Sequence, residues 1–505
     1  MKKNLAILAL TSLFFASCSN DDDAEGTIPA EPTPVTYTSG SADFSNYVSV
    51  GNSLTAGYSD SALFIDGQVA SYPNMLASNF KLVGGGEFNI PFMADNLGGA
   101  TLGGTEILGN RLFLDFSKVL EDGDKPSPEP VDGTGTTEIS TILSGSFNNM
   151  GVPGAKSYHL LVPGYGNVGG VLLGLANPYF VRFASSPGAS VLGDAVSQNP
   201  TFFSLWIGNN DILGYATSGG DGVNQLGNPV WSTYGSNDIT DPTAFAGIYS
   251  TLLQELTAGG AKGVVANLPD VTTIPYFTTV PHNPVPLNEA TATLLNGAYA
   301  QYNGGLAQLQ LGGAITSEEL AARTISFAAG ATNAVVLIDE SLTDLTSFNP
   351  ALVNMRQATA DDLIVLTARS FIGSLADPSN PTSINGVAIP LADKWVLTPD
   401  EQDEIAVATT AFNQTISDLA TQFDLAFVDA NTYLTKIATE GQPLSDGSTV
   451  TATYGTGGGF SLDGVHPSPR GYALLSLLFI DAINTKYGSD LPGVNPLEYK
   501  GLYIN

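Results

Sequence analysis

Tyr47-Val48-Ser49-Val50-Gly51-Asn52-Ser53-Leu54-Thr55-Ala56-Gly57 decides how the 505-residue chain is read. Tyr47 to Val50 is a short apolar run, the pattern of a buried strand. Gly51 stops it, a serine follows two residues later, and Gly57 closes the stretch. A strand that ends in a tight glycine turn exposes its next side chain at the carboxyl edge of a sheet. Open α/β sheets hold their ligands at that edge, so Ser53 is a candidate nucleophile.

Outward from this stretch, further apolar runs end in the same way. Ser146 to Ala155 is a brief strand running into Gly151 and Gly154, and Phe202 to Ile207 is unbroken and ends in Gly208-Asn209-Asn210-Asp211. Gly263 to Ala266 ends in Asn267-Leu268-Pro269, and Leu425 to Val428 is the last run. Helical stretches lie between them. Asp241-Pro242 combines an N-cap acid with proline at the first helical position, and Gly259-Gly260 ends that helix. Thr398-Pro399-Asp400-Glu401 is a capping box opening a helix to about Gln422. A final helix runs from Gly471 to about Tyr487. Strand and helix in alternation predict a three-layer α/β domain with a parallel sheet.

A nucleophilic serine needs a base, a group that orients the base, and donors for the oxyanion. The chain has three histidines. His282 lies between prolines, and His159 follows Lys156-Ser157-Tyr158 in an expected helix. His466 has an acid three residues before it, in Asp463-Gly464-Val465-His466, on a loop leading into the last helix. Asp463 as orienter and His466 as base would complete a triad with Ser53.

Gly51-Asn52-Ser53-Leu54, Gly154, Gly208-Asn209-Asn210-Asp211 and Asp463-x-x-His466, in this order, resemble the conserved blocks of the SGNH hydrolases, the GDSL-type lipases and esterases. The resemblance runs from about Phe44 to Gly488. It implies a three-layer α/β/α fold with a five-stranded parallel sheet, flavodoxin-like in layout. Ser53 is then the nucleophile, His466 the base and Asp463 its orienter, while the N–H groups of Ser53 and Gly154 and the Asn210 amide form the oxyanion hole. Gly151 keeps the second strand end tight, and Asn209 fills the variable place of its block. Asn52 stands where the family has aspartate, a structural position at which asparagine makes the same turn hydrogen bonds.

Two stretches exceed what such a fold needs, about 60–145 and 280–395. In the second, Leu287 to Leu309 is helical in pattern, and Leu363 to Ala368 is apolar and expected in a lid over the site. Residues 42–490 form the expected domain, with 491–505 as a tail.

The first 17 residues have the layout of a secretory signal: Lys2-Lys3, an apolar run from Leu5 to Ala16, and small residues at its end. Phe15-Ala16-Ser17-Cys18 resembles the lipobox of bacterial lipoproteins, and Cys18 is the chain's only cysteine. Lipid on Cys18 would be the membrane anchor, and 18–41 a Pro/Thr-rich tether. Asp21-Asp22-Asp23 resembles the export signal of surface lipoproteins in the Bacteroidetes group, implying an outer-membrane protein facing outward.

The net charge of −31 excludes nucleic acid as a partner, since that needs basic patches. Three scattered histidines and a single cysteine leave no zinc ligand set, so neither a metal nor a cofactor is expected. The expected function is ester hydrolysis through an acyl-serine on a lipid or lipid-like ester. Alternatives are O-deacetylation of a polysaccharide and a catalytically silent glycan- or lipid-binding lipoprotein. The complete set Ser53, Gly154, Asn210, Asp463 and His466 speaks against silence.

Overall fold

Alternation of apolar side chains on five short strands gives the sheet two buried faces. In the computed structural model, which describes residues 35–117 and 126–504, these strands are β1 (Tyr47–Gly51), β2 (Asn149–Gly151), β3 (Phe202–Trp206), β4 (Lys262–Ala266) and β5 (Ala426–Val428). All pair in parallel, in the order β5-β4-β3-β1-β2. This is a doubly wound order that reverses between β1 and β3, so the loops leaving those two strands part to opposite sides and open a crevice. Gly51 is in register with both Gly151 and Trp206, so three strands end level with one another.

One face carries Tyr47, Phe202, Trp206, Val264, Ala266 and Val428. Helices α2 (Tyr72–Lys81) and α7 (Pro469–Tyr487) cover it. Val48, Val50, Phe203, Leu205 and Val265 point the other way, under α4 (Pro242–Thr257) and α6 (Pro399–Gln422). The observed architecture is therefore a three-layer α/β fold with a five-stranded parallel sheet. The caps act as their residue types dictate. Asp241 Oδ1 accepts from the N–H groups of Thr243 and Ala244 at 2.9 Å, and the Glu401 carboxylate reaches back to the Thr398 N–H at 2.6 Å.

Helix α2 lies within the stretch expected to be an insertion. Its Tyr72, Met75, Leu76 and Phe80 are buried against the sheet, so it is part of the β1-to-β2 crossover. The second long stretch contains α5 (Glu289–Leu311) and small antiparallel ribbons, and its apolar side chains join the same core as α4 and α6. The run Leu363–Ala368 turns mostly inward: Leu363-Ile364 pairs with Val396-Leu397, and Ile364, Val365 and Ala368 are fully buried. Its apolar pattern therefore belongs to the core, and only Leu366 and Thr367 face the groove described below.

Tyr37–Asn505 form one compact unit. Leu491 and Tyr503, in the stretch expected as a tail, are buried, and Tyr503 packs edge-on against Phe64. The expected signal peptide, Cys18 and the tether up to residue 34 lie outside the described residues.

Candidate active site

Ser53 opens the short helix α1 (Ser53–Ala56) directly after β1. Gly51 admits no side chain, because a Cβ there would stand 2.1 Å from Thr55 Oγ1 and 2.4 Å from the Trp206 carbonyl. Asn52, fully buried, caps the helix by accepting from the Leu54 N–H at 3.0 Å, the bond an aspartate would make. Its amide nitrogen donates to Asn209 Oδ1 at 3.1 Å, a bond for which a carboxylate has no hydrogen.

Ser53 is 6% exposed, and its Oγ lies 2.9 Å from His466 Nε2. His466 Nδ1 lies 2.9 Å from Asp463 Oδ2. Three residues, two of them 413 positions apart, thus form one hydrogen-bonded chain. Asp463 is held by four N–H groups: Oδ1 accepts from the backbone of Val465 and His466 at 2.8 Å, and Oδ2 from Ser61 at 3.0 Å and the imidazole. Burial pushes this carboxyl upward, but the adjoining imidazole and these bonds outweigh it and hold it down at about 2. It stays ionised through the neutral range.

His159 and His282 are placed elsewhere. His159 Nδ1 accepts from the Lys156 N–H in a short 3₁₀ helix, Ser157–Leu161, and burial together with Lys156 pulls its pKa down to about 4. His282 is half-buried, and its carbonyl accepts from Val335.

The level strand ends bring the other expected residues to the same edge. The Ser53 N–H occupies the first helical position, where no intrahelical acceptor exists. The Gly151 N–H is taken by Asn149 Oδ1 at 2.9 Å, whereas Gly154 is exposed and its N–H has no acceptor among the described residues. Asn210 opens α3 (Asn210–Thr217), and its Nδ2 donates one hydrogen to the Ala155 carbonyl at 2.9 Å, leaving the second free. Asp211 is fully buried and accepts from the Ser157 N–H at 2.8 Å and hydroxyl at 2.7 Å. It thereby ties the Gly154 turn to α3.

Asp60 and Ser61 are missed by sequence reasoning. Both adopt left-handed backbone conformations, with φ of 50° and 64°. This conformation costs about 1 kcal/mol or more for a residue with a side chain and clusters at functional sites. Here it aims the Ser61 N–H at Asp463 and lets the buried Asp60 carboxylate accept from the Leu462 N–H at 2.9 Å. The only local signal is the turn-forming pair Ser59-Asp60. Burial, then the nearby Asp463 charge, raises the Asp60 pKa to about 7, against the pull of the Leu462 bond.

This gives a testable pH effect. Unfolded Asp60 releases its proton near pH 4, and folded Asp60 keeps it to about pH 7. Between those values the folded state binds more protons, so stability falls as pH rises and the loss is complete above about 7. Asp60→Asn should flatten this decline by up to a few kcal/mol. Melting temperatures of both proteins from pH 4.5 to 8 check it, and parallel profiles would contradict it.

Beside Ser53 lies an apolar slot of about 40 Å³, lined by Leu54, Leu213, Val271, Ile274 and Phe460. On the other side of His466 a groove of about 740 Å³ runs past Tyr58, whose ring lies 4.6 Å from the imidazole. Both long stretches line this groove, the first with Leu112 and Pro128, the second with Leu366 and Arg369. A wider cavity of about 1070 Å³ shares Arg369 and Tyr454 with the groove but touches neither Ser53 nor His466. Ser53 lines the slot, and His466 lines both the slot and the groove.

No protein-family model, curated protein or solved structure matches the chain.

Proposed function

We propose that this chain is a serine ester hydrolase of the SGNH, GDSL-type kind that its motifs resemble, acting through an acyl-serine intermediate. The observation that carries the reading is the chain Asp463–His466–Ser53, with both links at 2.9 Å. In the forward step Ser53 Oγ attacks the ester carbonyl carbon while His466 Nε2 takes the hydroxyl proton. Asp463 fixes the imidazole tautomer and faces the positive charge that forms. The oxyanion takes hydrogen bonds from the Ser53 and Gly154 N–H groups and from the free Asn210 hydrogen. Collapse expels the alcohol, which receives its proton from His466. Water then attacks the acyl-serine with His466 again as base, releasing a carboxylic acid and free Ser53.

The substrate is a carboxylic ester whose acyl group enters the slot and whose alcohol lies in the groove. Lipid or lipid-like esters suit the apolar lining. The slot is narrow, with about 40 Å³ of space beside Ser53, which favours a short acyl group. That size supports the second reading, removal of acetyl groups from a glycan lying along the groove. Lipid on Cys18 and exposure at the cell surface remain part of the proposal through the lipobox resemblance alone.

Hydrolysis of p-nitrophenyl esters from acetate to palmitate tests the reading. Turnover falling steeply beyond butyrate is expected. No turnover on any ester would leave a binding protein, and palmitate matching acetate would reject the short-acyl assignment.

A further inference from the structure

Away from the active site, the carboxylates of Glu340, Asp393 and Glu401 come within 4.8 Å of one another. They arrive from three parts of the chain: Glu340 and Asp393 from the second long stretch, Glu401 from the first turn of α6. Clustering of acids is common in a chain of charge −31 and by itself means little. What sets this cluster apart is how its oxygens are held.

Glu401 is 5% exposed, and its Oε2 is taken by the Thr398 N–H at 2.6 Å and hydroxyl at 2.8 Å. Its Oε1 is shut off from solvent and accepts no hydrogen bond, and the same is true of Asp393 Oδ1. An unsatisfied buried carboxylate oxygen is expensive, and two beside a third acid repel as well. No lysine or arginine pairs with any of the three among the described residues. The nearby arginine, Arg356, is already held by Asp339 and Asp362.

Further acids stand near the cluster. Asp221 and Asp339 add to the field at Asp393, and Glu404, bonded to the Tyr215 hydroxyl at 2.7 Å, stands close by. Burial, then the Glu340 charge and a hydrogen bond to it, pushes Asp393 upward, and burial with the charges of Asp393 and Glu340 pushes Glu401 upward against its bonds to Thr398. The loop after α3 closes over the site so tightly that a Cβ on Gly220 would stand 1.9 Å from Glu401 Oε1.

We propose that Glu340, Asp393 and Glu401 bind one hard divalent cation, with calcium the best fit. All the donors are oxygens, which suits calcium or magnesium and not zinc or copper. Calcium accepts irregular arrangements of six to eight oxygens, whereas magnesium demands a near-octahedral set. Three acids on independent segments suit the tolerant ion, and exposed Glu340 leaves a side open for water to complete the shell. The ion would join the second long stretch, α6 and the end of α3 at one point, a structural role independent of ester hydrolysis.

The test uses the full chain stripped with EDTA and dialysed. Metal content after calcium loading and gel filtration, together with calcium titration followed by melting temperature, reads binding directly. One calcium per chain is expected, with a rise of about 3 °C at a hundred times the dissociation constant and a smaller rise with magnesium. The isosteric pair Asp393→Asn with Glu401→Gln should abolish both the bound metal and the shift. No bound calcium in the wild type at millimolar concentration would overturn the site. An unchanged calcium response in the double variant would also overturn it. Wild-type metal content decides the matter even if that variant does not fold.

Discussion

Replacing Ser53 with alanine should remove ester hydrolysis, by a factor of about 10⁴ or more, while leaving the melting temperature within about 1 °C. The size follows from the loss of the atom that forms the acyl-enzyme in the proposed mechanism. What remains is the rate that the oxyanion donors and substrate binding give to water attack, about 10³-fold over the uncatalysed reaction in comparable triads. The small effect on stability follows from the site. Ser53 Oγ makes one hydrogen bond to a side chain, that to His466, and the helix cap belongs to Asn52. Its replacement leaves no buried N–H orphaned and only a small space beside an existing slot. Rates on p-nitrophenyl acetate and a thermal melt check both halves. Activity retained above about one per cent would remove Ser53 from the mechanism. A large drop in melting temperature would mean that loss of fold had been measured instead.

Asp463→Asn should lower kcat by about 10³–10⁴ and, unlike Ser53→Ala, should also lower stability. The carboxylate accepts four N–H groups and donates nothing. An amide has only one oxygen, so either arrangement of asparagine sets its NH₂ against N–H donors. With NH₂ toward Val465 and His466, two backbone groups lose their acceptor. With NH₂ toward Ser61 and the imidazole, the ring is driven to the tautomer that carries hydrogen on Nε2, which cannot take the Ser53 proton. Each buried group left unpaired costs about 1–3 kcal/mol. The measurements are kcat on a short ester and the melting temperature at pH 7.5. An asparagine variant as active as the wild type would show that His466 needs no anionic partner.

The two variants separate chemistry from architecture. Ser53→Ala tests the reacting atom alone, whereas Asp463→Asn tests the loop that carries the base. That loop is held from two sides, by Asp60 and Ser61 and by the Tyr276 N–H, which donates to the Gly464 carbonyl at 2.9 Å. Its rigidity is bought with the left-handed backbone at residues 60 and 61.

Strands β1, β3 and β4 are legible in the sequence because burial on both faces makes each of them a continuous apolar run. Helices α4 and α6 are legible because Asp241 and Thr398 cap them through contacts within three residues. The turns after β1 and β3 announce themselves through glycine followed by Asn or Ser, and Asp463 lies close enough to His466 for the pairing to be a local event. All of these follow from interactions along a few residues of chain, which any reader of the sequence can evaluate.

The remainder depends on contacts between residues far apart. Helix α2 is only ten residues long and Ser71 gives it no side-chain cap, so its place in the crossover is decided by the sheet it covers. The inward turn of Leu363–Ala368 follows from pairing with Val396-Leu397, so an apolar run that reads as a lid is mostly core. Strand order brings Ser53, Gly154 and Asn210 to one edge, and the last loop carries His466 back to Ser53 across 413 positions. The strained Asp60-Ser61 clamp is marked locally only by the turn-forming pair Ser59-Asp60, and the volume of the slot and the meeting of Glu340, Asp393 and Glu401 have no local signature. Each is set by packing, in which distances of a few ångströms join segments whose separation along the chain carries no information about their proximity.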